Sequence, residues 1–223
     1  MTQMNGLNAV IFDFDYTLGD SSLGIHDCIN HGLTGLGFPP VSYKEACASI
    51  GKSLPDTLVQ YTGEEHRDRS DEFYRLFMEK SMEVMVEKCR LYPGVPETVQ
   101  SLRDMGFSLA IASTKHRHRI DRILVRYGLG EFFDVVVGGE DVSRHKPDPG
   151  CVQIVLNRLG VAPSECVYVG DNVVDAAAAE AAGLCFIGVL TGVGLPERYS
   201  GFPCLAVVPD VGHVVSVLGS LNS

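Results

Sequence analysis

The sequence predicts an α/β protein, a mainly parallel β-sheet flanked by helices, with an all-helical domain inserted after the first strand. Three observations predict it. From about residue 91 onward, short apolar runs alternate with helical stretches, the pattern of βαβ units. Glycines stand just past those helical stretches. Between about residues 19 and 90 apolar residues recur at helical spacing, without clear strands.

The first strand is the apolar run Leu7 to Phe12. In the insertion, Ile25, Ile29, Leu33 and Leu36 mark one helix face, and Phe73, Phe77, Val84 and Met85 mark another. Gly37-Phe38-Pro39-Pro40 separates the first of these helices from the next. Ser53 followed by Pro55 reads as a helix start, an N-cap and an early proline. Arg90-Leu91-Tyr92-Pro93-Gly94-Val95-Pro96 reads as the return linker. Further strands are predicted at Ser108–Ala112, Asp134–Val137, Cys166–Val169 and Cys185–Val189, with a last one at Leu205–Val208. Helices are predicted at Val95–Met105, Arg117–Tyr127, Pro149–Leu159, Val173–Ala182 and Val211–Leu218. Gly106, Gly128, Gly160 and Gly183 follow four of them, where a left-handed C-terminal cap needs glycine. The domains expected are therefore a core of residues 1–18 and 91–223 and a helical insertion of residues 19–90. Such an insertion at the site end of a sheet can act as a lid that excludes water.

Composition narrows the class of function. The chain has 223 residues, 45% of them hydrophobic and 21% charged, as in an ordinary soluble protein. A formal net charge of −10 argues against nucleic acid as a partner. It also repels anionic substrates at long range, so a site that processes anions needs local cations, from lysine or metal. Cysteines stand at 28, 47, 89, 151, 166, 185 and 204, an odd count with no C-x-x-C spacing. They read as buried free thiols in a reducing compartment rather than as a zinc site. Residues Met1 to Asn8 lack a basic-then-apolar signal pattern. No apolar stretch reaches the ~18 residues of a membrane span. The expectation is a cytoplasmic protein without membrane association, a monomer or a homodimer.

The chemistry concentrates where predicted strands end. Asp13-Phe14-Asp15-Tyr16-Thr17 comes directly after the first strand. On an extended segment, Asp13 and Asp15 share a face and can converge on one reacting group. Two close carboxylates repel, and a cation or shared proton relieves that. The pair suits a metal-dependent site with one Asp as nucleophile and the other as acid and base. Ser113-Thr114-Lys115, Lys146-Pro147-Asp148, and Gly170-Asp171 through Asp175 come after later strands. In open α/β sheets ligands bind at those carboxyl ends. Asp171 and Asp175 lie one helical turn apart and can face one point. Each element also has a bland reading: a helix cap for Ser113-Thr114 and for Gly170-Asp171-Asn172, and a solvated loop lysine for Lys146. Lys115-His116-Arg117-His118-Arg119 reads as a solvated first helical turn, or more sharply as a basic collar that draws phosphate. His26, His31, His66 and His213 have no ligand spacing.

Taken together, the four clusters resemble the haloacid dehalogenase superfamily of phosphotransferases. Its motifs are D-x-D-x-T, a Ser/Thr after the second core strand, a Lys, and G-D-x-x-x-D. The resemblance spans essentially the whole chain. It implies a Rossmann-like core with a helical cap between the first and second motifs. It also implies Asp13 as the nucleophile that forms an aspartyl-phosphate, and Asp15 as the acid and base. Lys146 would offset charge, and Ser113 would donate a hydrogen bond to phosphate, with Thr17 and Thr114 as neighbouring substrate contacts. Mg²⁺, which prefers oxygen ligands, would be held by Asp13, Asp171, Asp175 and the main-chain carbonyl of Asp15. Asp171 would ligate directly, and Asp175 through water or by orienting other groups. The usual residue between Asp15 and Thr17 in that family is Gly; here it is Tyr16.

Ile50-Gly51-Lys52-Ser53-Leu54 and Tyr92-Pro93-Gly94-Val95 resemble the phosphoglycolate phosphatase branch, in which Gly51 and Lys52 would face substrate. The expected function is Mg²⁺-dependent hydrolysis of a small phosphorylated metabolite. A sugar-phosphate mutase or a pyrophosphatase on the same scaffold is the alternative. A true dehalogenase fits less well, because Asp15 and the Asp171–Asp175 pair would have no use there. A signalling receiver or a silent interaction protein is the alternative of another class. A receiver is shorter and lacks a helical insert, and a silent protein would be expected to have lost a motif residue.

Overall fold

A computed structural model describes residues 6–50, 52–192 and 195–221 of the chain. It resolves into two compact units, one of Met1–Gly19 with Leu91–Ser223 and one of Asp20–Arg90. In chain order the strands are β1 (Ala9–Phe12), β2 (Gly19–Asp20), β3 (Arg90–Leu91), β4 (Ser108–Ala112), β5 (Val135–Val137), β6 (Cys166–Gly170), β7 (Cys185–Val189) and β8 (Cys204–Val208). The helices are α1 (Ser22–Gly35), α2 (Tyr43–Ser49), α3 (Leu54–Thr62), α4 (Ser70–Val84), α5 (Val95–Asp104), α6 (Arg117–Arg126), α7 (Gly150–Leu159), α8 (Val173–Ala181) and α9 (Val214–Leu221).

The first unit is a six-stranded sheet in the order β5-β4-β1-β6-β7-β8, each neighbouring pair parallel. This is the doubly wound order, and the chain reverses direction across β1. Strand β1 lies in the middle, and all four of its residues are fully buried. A strand covered on both faces has no solvent side, which is why it reads as a continuous apolar run rather than an alternating one. One face carries Ala9, Ile11, Tyr168 and Phe186, packed with Val152 and Val155 of α7 and Ala176 and Ala179 of α8. Helix α5 packs on β4 and α6 on β5. They bury Val99, Leu102, Ile120 and Ile123. Burying such a side chain contributes about 1.5–3 kcal/mol, so these rows hold the strand ends in fixed positions.

Register then sets the site. Phe12 is level with Ile111 on β4 and with Val169 on β6. Asp13, Ser113 and Asp171, one or two residues further along their strands, therefore emerge along one edge of the sheet. Two backbone bonds continue the ladder past it, Asp13 N–H to the Val169 carbonyl at 2.9 Å and Ser113 N–H to the Val137 carbonyl at 3.1 Å. At the other end of its unit, α7 stops at Gly160, whose φ of 71° and N–H to the Leu156 carbonyl make the left-handed cap.

The second unit is helical. Its core is Ile29, Leu33, Leu36, Ala46, Leu58 and Phe73. Gly32 sits inside α1 because a Cβ there would stand 2.5 Å from the Phe73 ring. Helix α2 opens with a capping box of Ser42 and Glu45. At α3 the Ser53 hydroxyl accepts the Asp56 N–H, with a proline in the first turn. No helix among the described residues is long and apolar enough to cross a membrane.

Candidate active site

Four loops at the carboxyl ends of β1, β4 and β6 and after β5 bring the predicted residues of the first unit together. Lys146 stands at the centre. Its ammonium donates to Asp13 Oδ1 at 2.7 Å, to Asp175 Oδ1, and to the Tyr168 hydroxyl at 3.1 Å. The Tyr168 hydroxyl in turn donates to the Ala112 carbonyl at 2.6 Å. A strand residue of β6 thereby fixes the lysine head. Burial alone would push the Lys146 ammonium down, but Asp13 and Asp175 outweigh it and hold it well above the usual range. The solvated-loop reading of Lys146 does not hold, since its side chain is 3% exposed.

Asp13, Asp171 and Asp175 are buried, and each offers a carboxylate oxygen within 4.8 Å of the others. Burial raises the Asp13 carboxyl to about 6 against the lowering pull of Lys146, with Asp175 and Asp15 adding to the rise. Burial, then Asp13 and Asp175, raise Asp171 to about 8, Lys146 opposing. With Asp15, four carboxylates face two buried ammonium groups, those of Lys146 and Lys115. That excess of negative charge in an oxygen-only donor set is what a hard divalent cation satisfies, so the residues present fit Mg²⁺.

Asp175 also closes a capping box on α8. Its Oδ2 accepts the Asn172 N–H at 2.9 Å, and the Asn172 side chain accepts the Val174 N–H. The cap and the acidic cluster are thus one feature, with Asp175 using one oxygen for each. Gly170 allows it, because a Cβ there would lie 2.6 Å from the Asp175 Cβ.

The remaining predicted residues divide. Ser113 is buried, and its hydroxyl accepts the Lys115 N–H at 3.3 Å. Thr114 is exposed. Thr17 is fully buried, and its hydroxyl has no hydrogen-bond partner among the described residues. Lys52 belongs to the helical unit and donates to Gln60 Oε1 at 2.7 Å. Gly51 lies outside the described residues.

The structure corrects the reading of the basic run. Only Arg117 and His118 are exposed; His116 is half-buried and Arg119 is buried. Lys115 precedes α6 and is buried, with its ammonium 2.9 Å from Asp15 Oδ1. The run also makes a partner of Glu140, whose carboxylate accepts the Arg117 N–H with both oxygens at 3.0 Å and so caps α6 from the loop after β5.

Two more features had no motif in the sequence. The Thr191 hydroxyl donates to the Tyr16 carbonyl, and a Cβ on Gly192 would stand 1.8 Å from Asp171 Oδ2. The Tyr199 hydroxyl donates to the Asp171 carbonyl. Neither shows in sequence, because a Thr-Gly after a strand and a tyrosine in a short 3₁₀ turn are ordinary.

The chain is similar to known proteins in sequence and in fold. The model of the haloacid dehalogenase-like hydrolase family matches residues 10–189. Pyrophosphatase PpaX of Bacillus velezensis is 32% identical over 214 residues, covering 95% of this chain and 97% of that protein. A phosphoglycolate phosphatase of Pseudomonas savastanoi is 32% identical over 189 residues, covering 82% of this chain and 69% of that protein. Among solved structures, a Bacteroides fragilis protein described as haloacid dehalogenase-like superposes with a TM-score of 0.85 and 33% identity over 93% of this chain and 99% of its own. A haloacid dehalogenase-like family protein of Streptococcus pneumoniae shares the fold at a TM-score of 0.84 and 21% identity over 98% of this chain and 100% of its own. Strands β4 to β7, all of β1 but its first residue, and the cluster at the strand ends lie within the matched span, and the chain belongs to the haloacid dehalogenase-like hydrolase family.

Proposed function

We propose that the protein is a Mg²⁺-dependent phosphatase of small phosphorylated metabolites, acting on a phosphoglycolate-like monoester through an aspartyl-phosphate on Asp13. The observation that carries this is the arrangement around Lys146, 2.7 Å from Asp13 and paired with Asp175, in a buried set rich in carboxylates. Phosphoryl transfer asks mainly for positioning and charge neutralisation, and that set provides both.

Asp13 attacks phosphorus, and the bond to the leaving oxygen breaks. Asp15 gives that oxygen its proton. Water then attacks the same phosphorus, releases phosphate from Asp13 and returns a proton to Asp15. Lys146 holds Asp13 in place and offsets the charge gathering on the phosphoryl oxygens. Ser113 donates a hydrogen bond to one of them. Asp13, Asp171 and Asp175, with the Asp15 carbonyl, would hold Mg²⁺. When bound, the ion supplies further positive charge to the phosphoryl group.

The test is phosphate release from a panel of esters that includes phosphoglycolate and small sugar phosphates, with and without Mg²⁺. Mg²⁺-dependent release that disappears in Asp13→Asn supports the reading. No release from a folded protein with Mg²⁺ present contradicts it. The relative named as a pyrophosphatase favours a second reading, so pyrophosphate belongs in the panel. A preference for it over every monoester would replace the first reading.

A further inference from the structure

The two aspartates after β1 each have their own buried ammonium. Lys146 serves Asp13; Lys115 reaches from the end of β4 to Asp15 Oδ1 at 2.9 Å, with its side chain 2% exposed. The lysine is anchored at its backbone. Its N–H donates to the Ser113 hydroxyl at 3.3 Å, and its carbonyl accepts the Gly139 N–H at 3.1 Å. The ammonium also lies 5.5 Å from the centroid of the Phe14 ring, within cation–π range. Burying an ammonium is costly unless it is well paired, and the partner here is the carboxylate assigned the proton transfers. Asp15 itself keeps about a quarter of its side chain open, at 27%.

We infer that Lys115 is a positioning residue for the acid–base step, fixing the Asp15 carboxyl and stabilising the carboxylate left when its proton passes to the leaving oxygen. The inference rests on the proposed role of Asp15 as acid and base. In the first half-reaction the Asp13–phosphorus bond forms, the bond from phosphorus to the leaving oxygen breaks, and the Asp15 proton moves to that oxygen. Negative charge then appears on Asp15, next to Lys115. In the second, water forms the new phosphorus–oxygen bond, the Asp13–phosphorus bond breaks, and the water's proton returns to Asp15.

A merely structural lysine would lower turnover of every ester alike. A lysine acting through the proton donor matters most where the leaving oxygen needs a proton. The experiment compares kcat/KM for p-nitrophenyl phosphate, whose leaving group needs little help, with phenyl phosphate, whose leaving group needs more. Wild type, Lys115→Met, Lys115→Arg and Asp15→Asn are assayed with Mg²⁺, and folding is followed by circular dichroism. General acid catalysis is worth about 100- to 10,000-fold. Lys115→Met is therefore expected to lose about 10- to 100-fold on phenyl phosphate and less than about 3-fold on the nitrophenyl ester. Lys115→Arg is expected to recover most of that difference, and Asp15→Asn to show the same pattern more strongly. Should Lys115→Met not fold, Lys115→Gln takes its place.

Equal losses on both esters, or no loss, overturn the role of Lys115. An Asp15→Asn variant without ester selectivity overturns the role of Asp15 and this inference with it, while turnover by wild type leaves the phosphatase reading standing. Wild type inactive on both esters and on every member of the phosphate-ester panel above overturns all three.

Discussion

At the scale of single residues, the site is an arrangement of charges that water does not screen. Removing Lys146 leaves Asp13 and Asp175 buried and facing each other. Lys146→Met is expected to cost about 3–5 kcal/mol at neutral pH in denaturant melts without metal, and Mg²⁺ should restore part of it. Lys146→Met as stable as wild type would contradict the pairing. Tyr16 answers the question raised by the missing glycine. Its φ is 62°, in the left-handed region, which costs a non-glycine residue about 1–2 kcal/mol. Tyr16→Gly is accordingly expected to be more stable than Tyr16→Ala by about 1 kcal/mol in thermal melts; equal stabilities would exclude backbone strain there. Asp13, Asp15, Asp171 and Asp175 were legible because each comes within a few residues of an apolar run; Lys146, in the longer loop after β5, was legible only through the family resemblance that the other clusters carry. Lys115 was not, since a lysine opening a basic run looks solvated until its tertiary partner, Asp15 in a distant segment, is known.

At the scale of elements, the closeness of neighbouring loops positions those residues. A Cβ on Gly138 would lie 2.3 Å from the Arg117 nitrogen, and one on Gly139 would lie 2.4 Å from the Thr114 carbonyl oxygen. The loop after β5 thus rests directly on the loop carrying Ser113 and Lys115. Gly138→Ala is expected to destabilise by about 2–3 kcal/mol and to lower phosphate release along with it; a variant that melts and turns over like wild type would show that the contact is not needed. The sheet and the helices of the core were legible, because apolar runs and glycine stops carry the period of each element. Boundaries moved where side chains compete with the backbone. Strand β5 begins at Val135 because the Asp134 carboxylate accepts the Leu109 N–H at 3.0 Å and an Arg103 N–H at 2.6 Å. The predicted last helix opens as a 3₁₀ turn over Val211–His213, held by Asp210 Oδ1 on the Gly212 N–H. The 3₁₀ segment Glu64–Arg69 had no apolar period to betray it, and its ion pairs, such as Arg67 with Glu64 and Asp56, are visible only in three dimensions.

For the whole molecule, a net charge of −10 with carboxylates concentrated at the site links stability, pH and metal. Asp171 titrates at about 8 in the folded, metal-free protein, against an ordinary 3.8. Between those values the native state holds a proton that the unfolded state has released, so this group's contribution to stability falls as pH rises toward 8. Asp13, at about 6, acts in the same sense over a narrower window. Mg²⁺ needs the deprotonated ligands. Its addition is therefore expected to raise the melting temperature more at about pH 8.5 than at about pH 5.5, and Asp171→Asn should flatten that difference. An equal rise at both pH values would place the ion elsewhere. Transfer of the phosphoryl group to Asp13 is tested by acid-quenching the enzyme during turnover with Mg²⁺ and weighing it by mass spectrometry. A fraction of chains is expected to be heavier by one phosphoryl group, located on Asp13 by peptide fragmentation and absent from Asp13→Asn. Steady turnover with the phosphoryl group found on another residue would contradict it.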